Sequence, residues 1–546
     1  MVSARLGKCI TSAAALMIKT MGIRSPQRLT RVFTQVFGAS VGIVGYATLL
    51  SSAGLAQIIP DGSLGSESSL VNVGDVNGNP ATVIDGGAER GANLFHSFSD
   101  FNVNAGQRVY FANPVDIENI LSRVTGDGIS NIDGLLGVDG NANLFLLNPN
   151  GVIFGPNASL DINGSLTVST GESFTFADGS EFQAVPQGTE LFTASVPLGV
   201  QFNNLSNPLQ GDIRSEADLR LDQDLTLLAA GSIQTQNIDI SNRNGDGGTI
   251  TLAAEGDITT EDLNTSSLTS FVFSSDLVLA GNGGNIEVIT TKGNVSIEYL
   301  NTNSSSAVDG TKLINQRAGD GGNIRITATN GNITTDNINT YSSSLISGTD
   351  STVGNSGNGG DIEVTTTNGN ISTDNLDTSS FSEMFLSSES SLRSVVNLQS
   401  GDGGDIDVTT TDGNVSMGTL KTSSFSEMRS NSAFVLSAVN AQSGDGGDVE
   451  ITTTNGNVSI EDVEALSRAF TSEGNFESGN GGDIKITTTD GDVSARSLLT
   501  YSLSLMFPNS VQSGLQSFKS ENGSQAQNGG NIEITTTNGN VSVGDL

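Results

Sequence analysis

The sequence predicts an all-β fold in which the chain winds into a parallel β-helix, or β-solenoid. Three observations predict it. A glycine-rich unit recurs eight times from residue 245 to residue 546, each unit contains a run in which apolar and polar residues alternate, and hydrophobic residues make up only 35% of the 546 residues. Globular domains are usually richer in apolar residues, whereas stacked coils need only a thin core.

Residues 1–56 predict an extended signal peptide. All their charged side chains are basic: Arg5, Lys8, Lys19, Arg24, Arg28 and Arg31. An uncharged apolar stretch follows, and small residues at Gly54 and Ala56 fit cleavage before Gln57. An uncleaved membrane anchor is the alternative. Cleavage would remove Cys9, the only cysteine, which suits a chain exported to an oxidising surface or extracellular setting.

The eight units form a predicted repeat shaft, residues 245–546. The second glycines of their Gly-Gly pairs are Gly248, Gly284, Gly322, Gly360, Gly404, Gly447, Gly482 and Gly530. Repetition at this spacing is typical of solenoids and propellers. A propeller of four-stranded blades is the weaker alternative, because blades usually bring aromatic residues to their core, and this chain is 5% aromatic with no Trp.

One unit illustrates the predicted strand. Ile362, Val364 and Thr366 fall on one face, and Glu363 and Thr365 fall on the other. We therefore expect a strand with one buried side. At about 20 residues per coil, each unit would supply two coils, and the exported chain would form roughly 24 coils spanning about 115 Å.

A glycine ends each predicted strand, at Gly256, Gly293, Gly331, Gly369, Gly413, Gly456, Gly491 and Gly539. We expect a tight turn there with glycine at positive φ. Asn or Asp follows every time, at Asp257, Asn294, Asn332, Asn370, Asn414, Asn457, Asp492 and Asn540. These side chains are expected to stack into a hydrogen-bonded ladder along the solenoid axis.

Composition excludes several function classes. A formal charge of −36 excludes nucleic acid as a partner, because phosphate binding needs a basic face. One Cys and one His are too few for a zinc or haem site and make a Ser-His-Asp relay improbable. We expect the single histidine, His96, to be packed or hydrogen-bonded, and Arg123 to pair with a carboxylate.

Outward acidic residues recur once per unit and predict a solvated stripe rather than a catalytic site. They are Glu287, Glu363, Asp407, Glu450 and Glu533, and they alternate with Arg325 and Lys485. A polysaccharide-acting β-helix enzyme is a weaker alternative. The Gly-Asp-Gly-Gly-Asp segments leave weak calcium binding as another alternative, although Asn282, Asn323, Asn358 and Asn480 stand where a charge is wanted. No cofactor and no catalysis are predicted.

Five motifs in residues 91–170 carry a family resemblance. They are Gly91–Val103, Asn119–Gly126, Ile132–Leu136, Gly140–Gly155 with its Asn148-Pro149-Asn150-Gly151 corner, and Asn157–Thr170. In this order they resemble the secretion domain of filamentous-haemagglutinin-like exoproteins of two-partner secretion systems. Val152 stands where the family has Ile, and an earlier family element has a partial counterpart at Asn113-Pro114.

This resemblance implies a right-handed parallel β-helix with an N-terminal cap. It also implies export across the outer membrane through a β-barrel partner whose periplasmic domains bind the secretion domain. Carried over, the residues of the transporter-recognition and secretion motif are Asn148, Pro149, Asn150 and Gly151, together with Asn119 and Arg123. From the residues alone, Pro149 fixes an extended entry and Asn150-Gly151 closes a turn between two apolar strands, so a purely structural corner is the main alternative.

These observations predict a secreted or cell-surface exoprotein of a Gram-negative-type cell. Residues 57–240 are predicted to form the secretion domain with the first coils, and the shaft would act as an adhesin that contacts neighbouring or host cell surfaces. The sequence stops inside a unit at Leu546, so we expect a truncated C-terminus. The alternative is therefore a carrier stalk for a missing C-terminal toxin or enzyme.

Overall fold

The computed structural model describes residues 58–186, 192–201, 211–272, 278–310, 315–348, 353–386, 395–430, 438–471, 475–506 and 524–546. The chain divides into two units, Met1–Leu55 and Ala56–Leu546. The predicted signal peptide, with Cys9 and its cleavage site, lies outside the described residues. Across the described ranges no helix has the length and apolar character needed to cross a membrane, and the helical segment found there is a single 3-10 turn, Gly65–Glu67.

The N-terminal coils contain strands β1 (Ile58–Pro60), β2 (Ser69–Val76), β3 (Asn79–Gly86), β4 (Ala88–Arg90), β5 (Asn93–Phe101), β6 (Arg108–Ala112), β7 (Asn119–Val124), β8 (Ser130–Ile132), β9 (Leu135–Asp139), β10 (Asn143–Leu147), β11 (Val152–Phe154), β12 (Ser159–Asp161), β13 (Leu166–Ser169), β14 (Ser173–Phe176), β15 (Glu181–Gln183), β16 (Pro197–Gln201), β17 (Ile213–Ser215), β18 (Leu219–Arg220), β19 (Leu225–Ala229), β20 (Ile233–Gln234) and β21 (Ile238–Asp239).

The repeat shaft contains β22 (Ile250–Ala254), β23 (Ile258–Asn264), β24 (Ser267–Val272), β25 (Val278–Leu279), β26 (Ile286–Thr290), β27 (Val295–Asn301), β28 (Ser304–Gly310), β29 (Asn315–Arg317), β30 (Ile324–Ala328), β31 (Ile333–Asn339), β32 (Ser342–Gly348), β33 (Val353–Asn355), β34 (Ile362–Asn368), β35 (Ile371–Asp377), β36 (Ser380–Leu386), β37 (Val395–Gln399), β38 (Ile406–Asp412), β39 (Val415–Lys421), β40 (Ser424–Ser430), β41 (Ala438–Gln442), β42 (Val449–Asn455), β43 (Val458–Thr471), β44 (Asn475–Ser478), β45 (Ile484–Asp490), β46 (Val493–Met506), β47 (Ser524–Ala526), β48 (Ile532–Thr536) and β49 (Val541–Asp545).

Strands from successive coils pair in parallel and build long sheets, which confirms the predicted parallel β-helix. The first sheet runs from β5 through β7, β10, β13, β19 and β22 along the shaft to β48. In the shaft β34 pairs with β38 so that Ile362 lies beside Ile406 and Val364 beside Val408. These side chains are buried, and the stacked Ile and Val residues belong to one continuous core. Each coil therefore shields the apolar edge of its neighbour.

Each repeat unit forms one coil, so the expected coil of about 20 residues is wrong for the shaft. Successive partners Ile324 and Ile362 lie 38 residues apart, while Asn119 and Asn143 in the N-terminal coils lie 24 apart. The Ser-rich segment of each unit forms an additional strand of the same coil, such as β36, instead of a second coil. The first sheet has thirteen parallel levels from β5 to β48, a span of about 58 Å at about 4.8 Å per level.

The repeated glycine after the first strand of each coil serves close backbone approach. Gly369 does not have the positive φ that a tight turn was expected to impose, and neither do its counterparts in the other described coils. A β-carbon at Gly369 would overlap the carbonyl oxygen of Gly331 in the preceding coil, and one at Gly413 would overlap that of Gly369. Glycine is needed because the backbones of adjacent coils meet at this bend.

The predicted ladder of Asn and Asp side chains is confirmed along this bend. The backbone N–H of Asn370 donates to Oδ1 of Asn332 at 2.8 Å, and that of Asn414 donates to Oδ1 of Asn370 at 2.8 Å. Asp492 takes part in the same way, since its Oδ1 accepts the N–H of Asn540 at 2.8 Å. The side-chain oxygen thus satisfies a backbone donor that the bend leaves outside the sheets.

Antiparallel strands cover the first coil and form the predicted N-terminal cap. β1 pairs antiparallel with β5, and β2 and β3 form a hairpin whose turn has Asn77 at φ 56° and Gly78 at φ 77°. β3 continues in parallel into β6. A second antiparallel sheet, β15-β14-β16, lies beside the coils and packs Phe174 and Phe182 against Phe95 and Leu121.

Candidate functional site

The Asn148–Gly151 segment forms a corner between β10 and β11, as predicted. The N–H of Gly151 donates to the carbonyl of Asn148 at 3.1 Å and closes the turn. Gly151 has φ 123°, and a β-carbon there would lie 3.0 Å from the carbonyl oxygen of Asp212 in the next coil. Both the backbone conformation and the lack of space therefore favour glycine at this position.

Both asparagine side chains of the corner bind the preceding coil. Asn148 is fully buried, and its Nδ2 donates to the carbonyl of Gly128 and to Oγ of Ser130, each at 3.0 Å. Its Oδ1 accepts the backbone N–H of Asn150 at 3.0 Å. Nδ2 of Asn150 donates to the carbonyl of Gly126 at 2.7 Å. Pro149 and Asn150 remain half-buried, so they are the corner residues that a partner surface would reach.

Asn119 is the middle member of a second asparagine ladder, at the start of the first-sheet strands. Its Nδ2 donates to Oδ1 of Asn93 in the coil before, and its Oδ1 accepts Nδ2 of Asn143 in the coil after, both at 3.0 Å. Asn93 in turn donates to the carbonyls of Thr193 and Ser195, at 3.1 Å and 2.7 Å. This ladder joins the first three coils to the segment that leads into β16.

Arg123 lies fully buried near the end of β7. Its Nε donates to Oγ of Ser97 at 2.9 Å and its Nη2 to Oγ of Ser63 at 3.0 Å. Its Nη1 donates to the carbonyl of Gln183 at 2.6 Å, and the guanidinium lies 4.7 Å from the ring centroid of Phe182. One side chain thus joins the N-terminal segment, the first coil and the side sheet.

Asp61, which is half-buried, completes this partly buried polar network. Its Oδ2 accepts hydrogen bonds from Ser97 and Thr125 at 2.9 Å and 2.6 Å, and its Oδ1 accepts Ser63 Oγ at 2.6 Å. Burial raises the pKa of Asp61, but the hydrogen bonds from Ser63, Thr125 and Ser97 together outweigh it and hold the pKa below its ordinary value. Through Ser97 and Ser63, Arg123 is connected to the carboxylate of Asp61. Direct pairing of Arg123 with a carboxylate stays a prediction.

The predicted motif residues occupy adjacent coils. Arg123 is the register partner of Leu147 on the neighbouring strand. Because Leu147 directly precedes Asn148, Arg123 lies close to the start of the corner. Asn119 lies at the opposite end of β7. Sequence reasoning missed Asp61 and Asn93. The regular spacing of Asn93, Asn119 and Asn143 was a usable signal for the second ladder, whereas nothing near Asp61 indicated its partners.

His96 is packed and hydrogen-bonded, as expected. It is fully buried, its Nδ1 lies 3.0 Å from Oγ of Ser69, and its ring centroid is 5.3 Å from that of Phe111. Burial lowers the pKa of His96 to about 3. The imidazole is therefore neutral at physiological pH, in a position that holds the β2 strand of the cap against β5.

The outward acidic residues form the predicted stripe along the first sheet. Arg325 stacks between Glu287 and Glu363 and forms an ion pair with Glu363 at 2.7 Å. Lys485 pairs with Glu450 at 2.6 Å, and this hydrogen bond raises the pKa of Lys485. In the part of the chain that the structure describes, no group of three or more His, Cys, Asp or Glu side chains is placed to hold a metal ion.

The fold and this buried corner define a capped parallel β-helix. Residues 56–274 match the family model of the TPS (two-partner secretion) secretion domain. The chain therefore carries a TPS secretion domain, the domain of filamentous-haemagglutinin-like secreted exoproteins, and the resemblance of residues 91–170 is confirmed. The domain implies an outer-membrane transporter as a partner.

The crystal structure of the filamentous hemagglutinin secretion domain is similar to this chain at 13% sequence identity, with a TM-score of 0.25, over 68% of this chain and 96% of that chain. None of the curated proteins compared with the chain matches it significantly.

Proposed function

We propose that this protein is a cell-surface adhesin exported by two-partner secretion. The single observation that carries the proposal is the TPS secretion domain at residues 56–274. In this proposal a signal peptide over residues 1–56 directs the first membrane crossing. Residues 57–240 then engage the periplasmic domains of a β-barrel transporter, and residues 245–546 emerge as the shaft. No catalytic step is assigned to the chain.

The proposed driving force for export is folding outside the cell. An emerging coil buries its apolar stripe on the coil already formed, as Ile406 does on Ile362. Each added coil also closes the ladder bonds, such as Asn414 N–H to Asn370 Oδ1. Folding energy gained coil by coil would pull the chain outward without nucleotide hydrolysis.

We propose that the corner acts in export by fixing the shape presented to the transporter. Asn148 and Gly151 hold the turn from inside, while the half-buried Pro149 and Asn150 form its accessible side. Asn119 and Arg123 act as positioning residues, because their bonds lock the first coils together. A purely structural corner is the competing proposal.

Deletion of residues 62–190 from the full chain tests the export proposal. We expect this variant to remain in the periplasm of cells that contain the transporter. The matched control removes residues 401–443, one whole coil, so that Ser400 joins Gly444 and the register is kept. The control should reach the cell surface, and appearance of the 62–190 deletion outside the cell would overturn the proposal.

Adhesion requires a separate test. Beads coated with the purified exoprotein should attach to neighbouring or host cells more often than beads coated with the one-coil deletion variant at the same surface density. The reason is that contacts along a longer shaft add together. Equal attachment of coated and uncoated beads would overturn the adhesin role and would favour the carrier stalk.

A further inference from the structure

One outward face of the shaft carries aromatic and apolar side chains over five coils. It is formed by β32, β36, β40 and the last parts of β43 and β46, which pair in parallel in this order. On β36, Met384 points inward and is buried, whereas Phe381 and Phe385 point outward, and Phe385 is 38% exposed. In the same coils, the first sheet has outward residues such as Glu363 and Thr365. We call this surface the aromatic face, and contiguous apolar surface of this kind points to an interaction site.

The outward side chains of the aromatic face form two rows along the shaft, and each coil contributes one residue to each row. The first row is Ser343, Phe381, Phe425, Arg468 and Leu503. The second row, two residues further along each strand, is Leu345, Glu383, Glu427, Phe470 and Leu505. When one row is read in the opposite direction, Phe stands opposite Phe, Leu opposite Leu and Arg opposite Glu at three of the five positions. The face is thus complementary to a second copy of itself.

We propose that two copies of this protein associate in antiparallel orientation through their aromatic faces. A twofold axis perpendicular to the face, between Phe425 and Glu427, reverses both the order of the coils and the direction of the strands. Such a contact uses the same surface of both copies, and two sheets that face each other pack about 10 Å apart. The pairs formed between the copies are Phe381 with Phe470, Leu345 with Leu503, and Glu383 with Arg468.

The two charged residues that this pairing joins, Glu383 and Arg468, form no ion pair within the described ranges of a single chain. Burial raises the pKa of Glu383, and the nearby Glu427 raises it further, while Arg429 acts in the other direction. The guanidinium of Arg468 lies 5.0 Å from the ring centroid of Tyr501, and its Nη2 donates to the hydroxyl of that tyrosine. A guanidinium from the second copy would therefore supply the half-buried carboxylate of Glu383 with an opposite charge.

The centre of the contact also avoids repulsion between carboxylates. Glu427 is 5% exposed, and Nη2 of Arg429 donates to its Oε2 at 2.9 Å. The axis places this covered carboxylate opposite Phe425 of the second copy. The guanidinium of Arg429 would then lie between the carboxylate and the facing aromatic ring, where a cation–π contact is favourable.

The size of the face predicts a weak dimer. Five coils span about 24 Å along the shaft, and strands of about seven residues span about 23 Å across it. The contact would bury roughly 500 Å² of each copy, roughly 1,000 Å² in total, which is at the low end for specific interfaces. We therefore expect the dimer to dissociate on dilution and to form readily where many copies are held close together.

Antiparallel pairing also fits contact between cells, because shafts that project from two neighbouring cells meet in opposite directions. This consequence rests on the proposed surface display and would make a second copy of the chain the partner of the adhesin. The dimer itself does not depend on display.

Sedimentation equilibrium of the purified full chain tests the proposal over concentrations from about 1 μM to about 1 mM. We expect the average mass to rise with concentration toward that of a dimer. A monomeric mass at every concentration would overturn the proposal. The measurement needs neither export nor attachment to cells. A dimer that does not attach to cells would therefore overturn only the adhesin proposal, and a monomer that attaches would overturn only this one.

Charge reversal tests which residues pair. Glu383→Arg and Arg468→Glu should each weaken the dimer about tenfold or more, because like charges then face each other at both symmetric positions. The double variant should restore association, since opposite charges face each other again. Glu298→Arg is the matched control, because it makes the same charge change on β27, outside the aromatic face, and it should leave the dissociation constant unchanged. A folded double variant that stays monomeric would overturn the antiparallel pairing.

Leu345→Glu keeps the test decisive if Arg468→Glu disturbs folding. The side chain of Leu345 is exposed, so the single chain should fold as before, which circular dichroism checks. The variant should weaken the dimer about tenfold or more, because the contact would bury a carboxylate against Leu503 of the second copy. An unchanged dissociation constant for this variant would overturn the assignment of the aromatic face.

Discussion

Asp61 and Arg123 bind the same hydroxyl group: Ser97 Oγ donates to Oδ2 of Asp61 and accepts Nε of Arg123, each at 2.9 Å. Asp61 lies in the cap, directly after β1, and Arg123 belongs to the second coil of the first sheet. The serine between them lies on β5. Through this bridge the cap is fastened to the coils by buried polar contacts as well as by apolar packing.

Replacing Arg123 by Met is expected to destabilise the cap locally by about 3 kcal/mol, because the carbonyl of Gln183 and the network around Asp61 would lose a buried charged donor. Amide hydrogen exchange on the full chain measures this as lost protection in β1, β5 and β15. The matched control is Arg214→Met, whose ion pair with Asp212 is exposed and should cost under about 1 kcal/mol. Equal effects of the two changes would contradict the assigned role.

His96 should make the cap sensitive to mild acid. Its folded-state pKa of about 3 lies below the ordinary 6.5, so the unfolded cap binds a proton that the folded cap does not. The stabilisation is complete above pH 6.5 and is lost as the pH falls toward 3, with about 3 kcal/mol lost by about pH 4.5. Hydrogen exchange of β2 and β5 against pH measures the loss.

His96→Leu is the control for this acid response, because leucine cannot titrate. The variant should keep its cap protection unchanged between pH 6.5 and about 4.5. Asp61, whose pKa is lowered in the folded chain, contributes stability above about pH 4 and loses it only below that value, so the two effects are separable. A variant that follows the wild-type curve would show that another group is responsible.

Gly369→Ala should destabilise its coil by about 2 to 3 kcal/mol, because the new methyl group meets the backbone carbonyl of Gly331 and cannot rotate away. Gly62→Ala is the matched control, since a β-carbon there has no neighbour within 4 Å, and its effect should stay within about 0.5 kcal/mol. Exchange protection of β34 and β35 reports the difference, and a silent Gly369→Ala would refute the close-approach explanation.

Asn148→Ala should open the corner between β10 and β11 at a cost of about 2 kcal/mol, because it leaves the carbonyl of Gly128 and the hydroxyl of Ser130 without their donor. Pro149→Ala removes a half-buried ring and should cost under about 1 kcal/mol. Export yield measured beside exchange protection separates the two proposed roles. Reduced export of Pro149→Ala with an intact corner would favour direct transporter contact over a structural corner.

The strand pattern was predictable from the sequence because burial in a stacked coil depends on local alternation. Ile362, Val364 and Thr366 are buried, as their spacing predicts. Coil length was not predictable in the same way. The segment that contains Phe381 could start a new coil or extend the existing one. The outcome depends on its strand partner in the next unit, which lies far away in the sequence. The glycine row was placed correctly, but its cause, contact between backbones, is invisible to local sequence.

Long-range polar contacts escaped prediction for a related reason. Arg123 meets Ser63 and Gln183, each 60 residues away in the chain, and no local pattern couples these positions. The environment of His96 was easier to predict, because a single histidine between phenylalanines is usually buried with them.

Because one repeat closes one turn, whole repeats are interchangeable units of length. Unequal recombination that inserts or removes a unit would lengthen or shorten the shaft by about 4.8 Å. The coils that become neighbours would form the same ladder of hydrogen bonds as the coils they replace. The length of the shaft can thus evolve by copy number, because each added unit uses the interface that the existing units already share.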